Sequence, residues 1–341
     1  MGSSFGIASE KLTEAVIELF GADPRVRSVG IGRSGDSYLY RAVRNSAIVM
    51  PMNVQPAAPS HIHDIPVVFV DTSGEVESLS LVENVVPADL MATSLHEEVK
   101  QHRPLFSGLQ IQNADHDHRS RDGGRLKNGV ITIGTLGCFV KRTDGQFSLL
   151  SNNHVVAGEN GGQRGTDRIA QPGSAVTTDG HIAVLHEFAQ ILFSPQGASP
   201  RTGNAVLNTV DAGIATLLGG VDFRPGYAPH HGLPAVHGAV EAEDGDRVFK
   251  VGRTTGLTWG TVASIATTVG PVGFHSGLAW FRDSIEVEGE AGVPFSAPGD
   301  SGSVVIRESG EIIGLLYAGN GQVTYACPIQ AVLTAMGCSL A

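Results

Sequence analysis

Residues Ser296-Ala-Pro-Gly-Asp-Ser-Gly-Ser303 contain the string Gly299-Asp300-Ser301-Gly302. A serine nucleophile needs its hydroxyl on a tight turn. It also needs backbone N–H groups converging on the oxygen that becomes negative, and flanking glycines permit both. An ordinary surface turn has the same composition, and the string alone does not separate the two.

A serine hydroxyl is too weak an acid to attack a carbonyl unaided, so a histidine base and an orienting carboxylate are required on comparable strand ends. Leu149-Leu-Ser-Asn-Asn-His154-Val-Val-Ala ends a predicted strand with a histidine and then turns apolar. Thr209-Val-Asp211-Ala-Gly-Ile-Ala215 sets one aspartate inside an apolar stretch. A buried carboxylate without a partner is costly, which singles out Asp211 over Asp167, Asp179 and Asp222, acids expected to be exposed. The bland alternatives are a core or capping histidine at 154 and a strand-end turn former at 211.

The chain around these residues is turn-rich, with 44 glycines in 341 residues and only 6% aromatics. Beyond Val130 it reads as short β runs broken by glycine turns, with no strong helix before Pro328 to Met336. That pattern predicts antiparallel barrels or sandwiches rather than a parallel sheet. Upstream, Ser9 to Gly21 has Leu12, Ala15, Val16, Leu19 and Phe20 on one helical face, with Ser9 as cap and Gly21 as stop. Val29 to Ile31, Tyr38 to Tyr40, Ala47 to Met50 and Val67 to Val70 read as strands, and Asp89 to Gln101 as a second helix. Residues 8–112 thus suggest a small α+β domain. The polar stretch 113–129, with Arg119, Arg121 and Arg125, reads as a linker.

A formal net charge of −11 leaves no basic stripe for nucleic acid or an acidic membrane surface. No run approaches the length of a spanning helix, and the first residues lack the apolar core of a secretory signal. Cys138, Cys327 and Cys338 are too few and too odd for a disulfide framework, so a cytoplasmic, reducing setting is expected.

The candidate triad follows the order His154, Asp211, Ser301, at separations of 57 and 90 residues. In this order and context the chain from about 130 to 341 resembles the chymotrypsin-like serine proteases. Ser151-Asn-Asn-His154-Val matches the histidine context of that family, Asp211-Ala-Gly-Ile-Ala215 the aspartate context, and Gly299 to Gly302 the nucleophile motif. Gly134 to Cys138, Val251 to Thr258 and Gly314 to Gly319 are similar to the non-disulfide bacterial and plant branch. Ser303 departs from the usual second glycine after the nucleophile. Cys138 stands where many relatives place half of a disulfide, but the partner position holds Val155. The protease region does not begin with the sequence whose freed amine pairs with the aspartate before the serine, so Asp300 must find another donor.

The resemblance implies a mainly β protein, a double six-stranded antiparallel barrel (about 130–235 and 246–341) preceded by the α+β domain. It implies a serine endopeptidase without cofactor, with His154 as base, Asp211 as its orienter and Ser301 as nucleophile. The N–H groups of Gly299 and Ser301 would form the oxyanion hole. Phe295 would floor the specificity pocket, Tyr317, Ala318 and Gly319 would wall it, and Val323 would narrow it. Nothing acidic stands there, so cleavage after apolar residues of protein or peptide substrates is expected, unless Glu286, Glu288 or Glu290 reaches the pocket. The competing class is a protease-like module that binds peptides without turnover. The N-terminal domain either occludes the cleft or recruits a partner. Three histidine groups (61 and 63; 116 and 118; 230, 231 and 237) lack ligand spacing, so no metal is expected. Gly30 to Gly35 reads as a hairpin turn, as does Arg253 to Gly256.

Overall fold

Ala8, Leu12, Ala15, Val16 and Leu19 recur at helical spacing and face one apolar cluster. In the computed structural model, which describes residues 4–50, 59–79, 81–82, 97–119, 121–122, 125–126, 130–131, 133–173 and 180–341, they lie on helix α1 (Ser4–Ala22). The helix starts upstream of Ser9, which therefore does not cap it. It packs on a hairpin of β1 (Val26–Ser34) and β2 (Ser37–Asn45), whose turn is Gly35-Asp36. Strand β3 (Ile65–Thr72) joins β2 in parallel. Ala47 to Met50, expected as a strand, leaves a turn at Ser46-Ala47 and continues as irregular chain. The Asn45 carboxamide oxygen accepts from Ala47 N at 3.0 Å, giving the backbone a local partner in place of a ladder. Strand β4 (Glu77–Ser78) is two residues long. Of the helix expected over 89–101, residues 89–96 lie outside the described residues. Glu97–Val99 is a single 3-10 turn.

The first barrel uses β5 (Gln110–Asn113), β6 (Gly134–Thr135), β7 (Cys138–Arg142) and β8 (Phe147–Ser151). After the short helix α2 (Asn153–Val156) it adds β9 (Arg168–Ala170), β10 (His181–Phe188) and β11 (Gly213–Leu217). Strands β6 and β7 are two halves of one interrupted strand: β6 pairs with β5 and β7 with β8. The ladder β8–β11–β10–β9–β5 then closes a six-stranded ring. Leu109, Ile111, Phe139, Leu149, Ile182, Leu185 and Ala215 fill it. Residues 105–112, which composition assigned to the N-terminal domain, thus supply a strand and core of this barrel. Nor is 113–129 a bare linker where it is described. Asn113 is buried, its side chain accepts from His116 N at 2.9 Å, and Ala114–Arg119 is helical. Arg121–Asp122 pairs with Arg125–Leu126.

The second barrel comprises β12 (Arg247–Gly252), β13 (Gly256–Phe274), β14 (Gly277–Gly289), β15 (Val304–Arg307), β16 (Ile312–Gly319) and β17 (Val323–Pro328). The pairing β13–β14–β17–β16–β15–β12–β13 returns on itself, a second six-stranded ring, so the expected double barrel is what the chain forms. Helix α3 (Ile329–Met336) follows, and β18 (Cys338–Leu340) crosses back to pair with β7.

Strands β13 and β14 outrun the barrel. Their outer part carries β1 as a further antiparallel neighbour, with Ser28 opposite Val269 and Ile31 opposite Ile265. The hairpin tip reaches the first barrel, where the Glu159 carboxylate accepts from His275 N at 2.9 Å and Ser276 N at 2.6 Å.

A buried polar chain ties the N-terminal strands to the second barrel. Arg41 Nε donates to Glu286 Oε1 at 2.7 Å, Ser28 Oγ donates to Glu286 Oε2 at 3.0 Å, and Tyr325 Oη donates to Ser28 Oγ at 3.0 Å. Glu286 has no exposure. Burial pushes its carboxyl upward, and the Arg41 guanidinium pulls against that. Removing one partner of such a pair leaves a buried charge uncompensated, at about 3–5 kcal/mol. Urea denaturation should therefore show Arg41→Met less stable by roughly that amount. Arg41→Met/Glu286→Leu should recover much of the loss; a single variant as stable as wild type would refute the coupling.

Candidate active site

Asp300 organises the serine turn. It is fully buried beside Lys250, equally buried on β12, with Nζ 3.4 Å from Oδ2. Thr254 N (2.8 Å) and Thr255 N (3.2 Å) donate to Oδ1. Thr255 Oγ1 (2.6 Å) and Ala297 N (3.0 Å) donate to Oδ2. The donor that Asp300 needed is thus internal: a lysine in an apolar strand and the amides of the Arg253–Gly256 turn. Burial pushes the Lys250 ammonium downward, while Asp300 pulls it back up. Clamped in this way, the turn takes positive φ at Gly299 (101°) and Gly302 (91°). A Cβ at Gly302 would also meet Ser151 Oγ at 2.2 Å and Thr135 O at 2.3 Å.

Thr135 joins this turn to the first barrel. Its N donates to Ser301 O at 2.8 Å and its Oγ1 to Gly299 O at 3.0 Å. Arg253 N donates to Thr135 Oγ1 at 3.1 Å, and Ser151 Oγ to Thr135 O at 2.8 Å.

His154 stands on α2, one helical turn anchored by the two asparagines before it. Asn152 Nδ2 donates to Asp211 O at 2.6 Å, and Asn153 Nδ2 donates to Ala189 O at 2.6 Å and Asn160 Oδ1 at 2.7 Å. Val155 and Val156, next in the chain, belong to the first barrel's core. His154 Nδ1 makes a short hydrogen bond with Asp211 Oδ2, and its backbone N reaches Oδ1 at 3.3 Å. Asp211 has no exposure and His154 is 1% exposed. With Nδ1 bonded to the carboxylate, Nε2 is the nitrogen left to exchange a proton; it is buried and has no hydrogen-bond partner among the described residues. The Phe274 ring meets the imidazole edge-on, with centroids 5.9 Å apart. Asp211 N donates to Cys327 Sγ at 3.3 Å, and burial pushes that thiol well upward.

Ser301 is also fully buried, and its Oγ donates to Tyr317 O at 3.3 Å. The same carbonyl accepts Leu79 N at 3.2 Å, and Gly299 N donates to Leu79 O at 2.7 Å. Ser78 and Glu77 of β4 lie opposite Ala318 and Gly319. Phe295 is buried in one apolar cluster with Leu79. Ser296 Oγ and Thr324 Oγ1 bond one another at 2.7 Å beside Val323, which is buried at the start of β17. Glu286 and Glu288 are engaged by Arg41 and Glu290 by Arg247.

Lys250, Thr135, the 254–255 amides and the 76–79 strip are the parts that sequence reasoning missed. Asp167, expected to be exposed, is buried: its carboxylate accepts from Asn113 Nδ2 and Gln163 N, both at 3.0 Å. Asp179 lies outside the described residues, and Asp222 is exposed. Among the histidines, His231 Nε2 meets Glu98 Oε1 at 2.7 Å with His230 alongside. His237 bonds Ala235 O, and His63 pairs with Glu14.

No protein-family model matches the chain, and no curated protein does. Solved structures similar to it include Thermobifida fusca Protease A, at 18% identity and TM-score 0.42, covering 61% of this chain and 91% of that one. Nocardiopsis protease has 18% identity and TM-score 0.45, covering 69% and 98% respectively. A serine protease specific for glutamic acid, which uses a histidine triad in substrate binding, has 18% identity and TM-score 0.44, covering 70% and 100%.

Breaking the Lys250–Asp300 pair tests what holds the turn. Lys250→Met keeps the stem and removes the charge, leaving a buried carboxylate short of its cation. Its unfolding free energy should fall by about 3–5 kcal/mol. Lys250→Met/Asp300→Leu should regain stability, but with the turn unclamped; equal stability of wild type and Lys250→Met would show that the amides alone suffice.

Proposed function

We propose that the chain is a serine endopeptidase that hydrolyses protein or peptide substrates after apolar residues. One observation carries the reading. A buried His154–Asp211 pair offers an Nε2 with no partner among the described residues, and the serine turn, tied to the same barrel through Thr135, holds a peptide carbonyl oxygen on its Gly299 N–H.

Ser301 Oγ leaves Tyr317 O for His154 Nε2 by a change of χ1 well, a step among staggered rotamers. His154 takes the hydroxyl proton as Oγ attacks the carbonyl carbon, and Asp211 stabilises the imidazolium. The tetrahedral oxygen is received by the N–H groups of Gly299 and Ser301, each such donor being worth about 3–4 kcal/mol in the transition state. His154 then protonates the departing amine as the acyl-enzyme forms; water, giving its proton to the same base, attacks the acyl carbon, and the acid leaves as Ser301 Oγ regains its proton. The chemistry asks for no cofactor.

The pocket reading rests on charge. Phe295, Tyr317, Ala318 and Gly319 bring no acid, and Glu286, Glu288 and Glu290 are spoken for by arginines. A cation entering would lose hydration without gaining a partner, whereas an apolar side chain gains about 0.8 kcal/mol per buried CH₂. A positional-scanning peptide library should show cleavage after Leu, Val or Ala, with Lys, Arg, Asp and Glu disfavoured; dominant cleavage after Lys or Arg would overturn the pocket assignment.

Ser301→Ala should abolish hydrolysis and fluorophosphonate labelling while leaving the melting temperature within a few degrees, because one hydroxyl contributes little to packing. Asp211→Asn should lower kcat by roughly 10⁴ by favouring the wrong tautomer, the loss known for the triad template. Unchanged turnover in Ser301→Ala would remove the reading.

A further inference from the structure

Two imidazoles and one buried carboxylate converge where the chain crosses from the first barrel to the second. The connection from β11 to β12 covers residues 218–246 and is anchored at its middle. Ala228 belongs to the core of the first barrel, and Tyr227 packs against the core of the second. Pro229–His231 then makes a single 3-10 turn, closed by His231 N on Ala228 O at 3.2 Å and stopped by Gly232 at φ 62°. Successive side chains on such a turn ordinarily point about 120° apart. The rings of His230 and His231 nevertheless approach to 4.1 Å between centroids.

The third group comes from far upstream. The Glu97–Val99 turn is held to the first barrel by Gln171, whose Nε2 donates to Lys100 O at 2.6 Å and whose Oε1 accepts from His102 N at 3.1 Å. It directs Glu98, 2% exposed, at His231, with Oε1 2.7 Å from Nε2. The donor atoms of Glu98, His230 and His231 all lie within 4.8 Å of one another. A carboxylate removed from water needs a cation, and a neutral imidazole brings a proton but no charge. The Lys250 ammonium feels the field of Glu98 but is committed to Asp300. Glu98 and His231 are 133 residues apart, so the spacing of the histidines did not mark the cluster.

We propose that Glu98, His230 and His231 bind one zinc ion, which staples the crossing segment to the chain entering the first barrel. Two imidazoles with one carboxylate suit zinc and not the oxygen-seeking Ca²⁺ or Mg²⁺. Zinc ligands stand about 2.0–2.2 Å from the ion, and so about 3.4 Å from one another in a tetrahedron. The His231–Glu98 contact opens slightly to admit the ion, and His230, which is exposed, closes on it by a rotamer change. The proton between Nε2 and Oε1 moves through solvent to Nδ1, the imidazole stays neutral, and water takes the fourth position. Joining segments so distant in sequence closes a long loop, a link that the unfolded chain lacks.

Calorimetric titration of the full chain with ZnCl₂, after EDTA treatment and dialysis, tests this. Wild type should bind one tight equivalent of zinc, and Mg²⁺ or Ca²⁺ should not compete for it. Glu98→Gln keeps a hydrogen bond to His231 and removes the charge, and His230→Ala changes an exposed side chain. Each should raise the Kd about tenfold or more. His237→Ala, in the same connection but bonded to Ala235 O, should leave it unchanged. With zinc at about 100 times the wild-type Kd, the wild-type melting temperature should rise by several degrees and that of His230→Ala should not. Co²⁺ in place of zinc should give the visible absorption of a four-coordinate ion, lost in both variants. None of these outcomes depends on whether Ser301 is a nucleophile. Absence of saturable zinc binding in wild type would overturn the site, as would a Kd that neither Glu98→Gln nor His230→Ala moves while thermal melts report both folded.

Discussion

Everything at the centre of this molecule depends on one buried charge. Asp300 has no access to water, and the cost of placing it there is met by Lys250 and by four donors from two different turns. A carboxylate so satisfied has one geometry, and the turn around it inherits that geometry. The positive φ values of Gly299 and Gly302 follow, and with them the direction of the Gly299 N–H and of the Ser301 side chain. Thr135 transmits the same constraint to the other barrel, since its amide, hydroxyl and carbonyl each bond a different neighbour of the turn. The histidine side of the cleft is built with the same economy, two asparagine side chains fixing a helix too short to stand by itself.

The candidate catalytic residues were legible because the proposed chemistry demands their types in particular local company. Histidine at a strand end, aspartate inside an apolar run and serine on a glycine turn each allow a bland reading alone; their order, His154, Asp211, Ser301, in matching local contexts is what made them legible. Lys250 breaks its own apolar run, sitting in Val248-Phe249-Lys250-Val251 before a Thr-Thr-Gly turn. A lysine in a strand ordinarily marks a solvent face, however, and only the closed ring shows that both faces are covered here. Asp167 was misjudged for the converse reason. The polar run Gln163-Arg-Gly-Thr-Asp167 looks exposed, but its aspartate turns inward to meet Gln163 N and Asn113.

The N-terminal region was read less well because its fate is decided by partners far away in sequence. Local composition separates 8–112 from the rest, yet β1 completes its ladder on β13, more than 200 residues later, and 105–112 fill the first barrel. No local period announces such pairings. Strand β4 has no pattern at all: two residues, one exposed and one buried, become a strand only because the end of β16 that runs past β15 offers matching donors and acceptors.

The strip over the serine turn and the proposed catalytic geometry use the same contacts, Tyr317 O and Gly299 N. A pocket that admits Leu79 must be apolar and must leave no hydroxyl seeking a partner, and the Ser296–Thr324 hydrogen bond satisfies both hydroxyls. Behind Phe295 lies the Lys250 ammonium, 6.0 Å from the ring centroid. A second cation would therefore face repulsion as well as lost hydration. The 76–79 strip meets β16 at Tyr317 O and the serine turn at Gly299 N. Burying Leu79 contributes roughly 1.5–3 kcal/mol, and the amide and carbonyl beside it are satisfied by Tyr317 and Gly299. The strip is stable there for the reasons an extended peptide is held on a strand edge: backbone pairing along it and a pocket for one side chain.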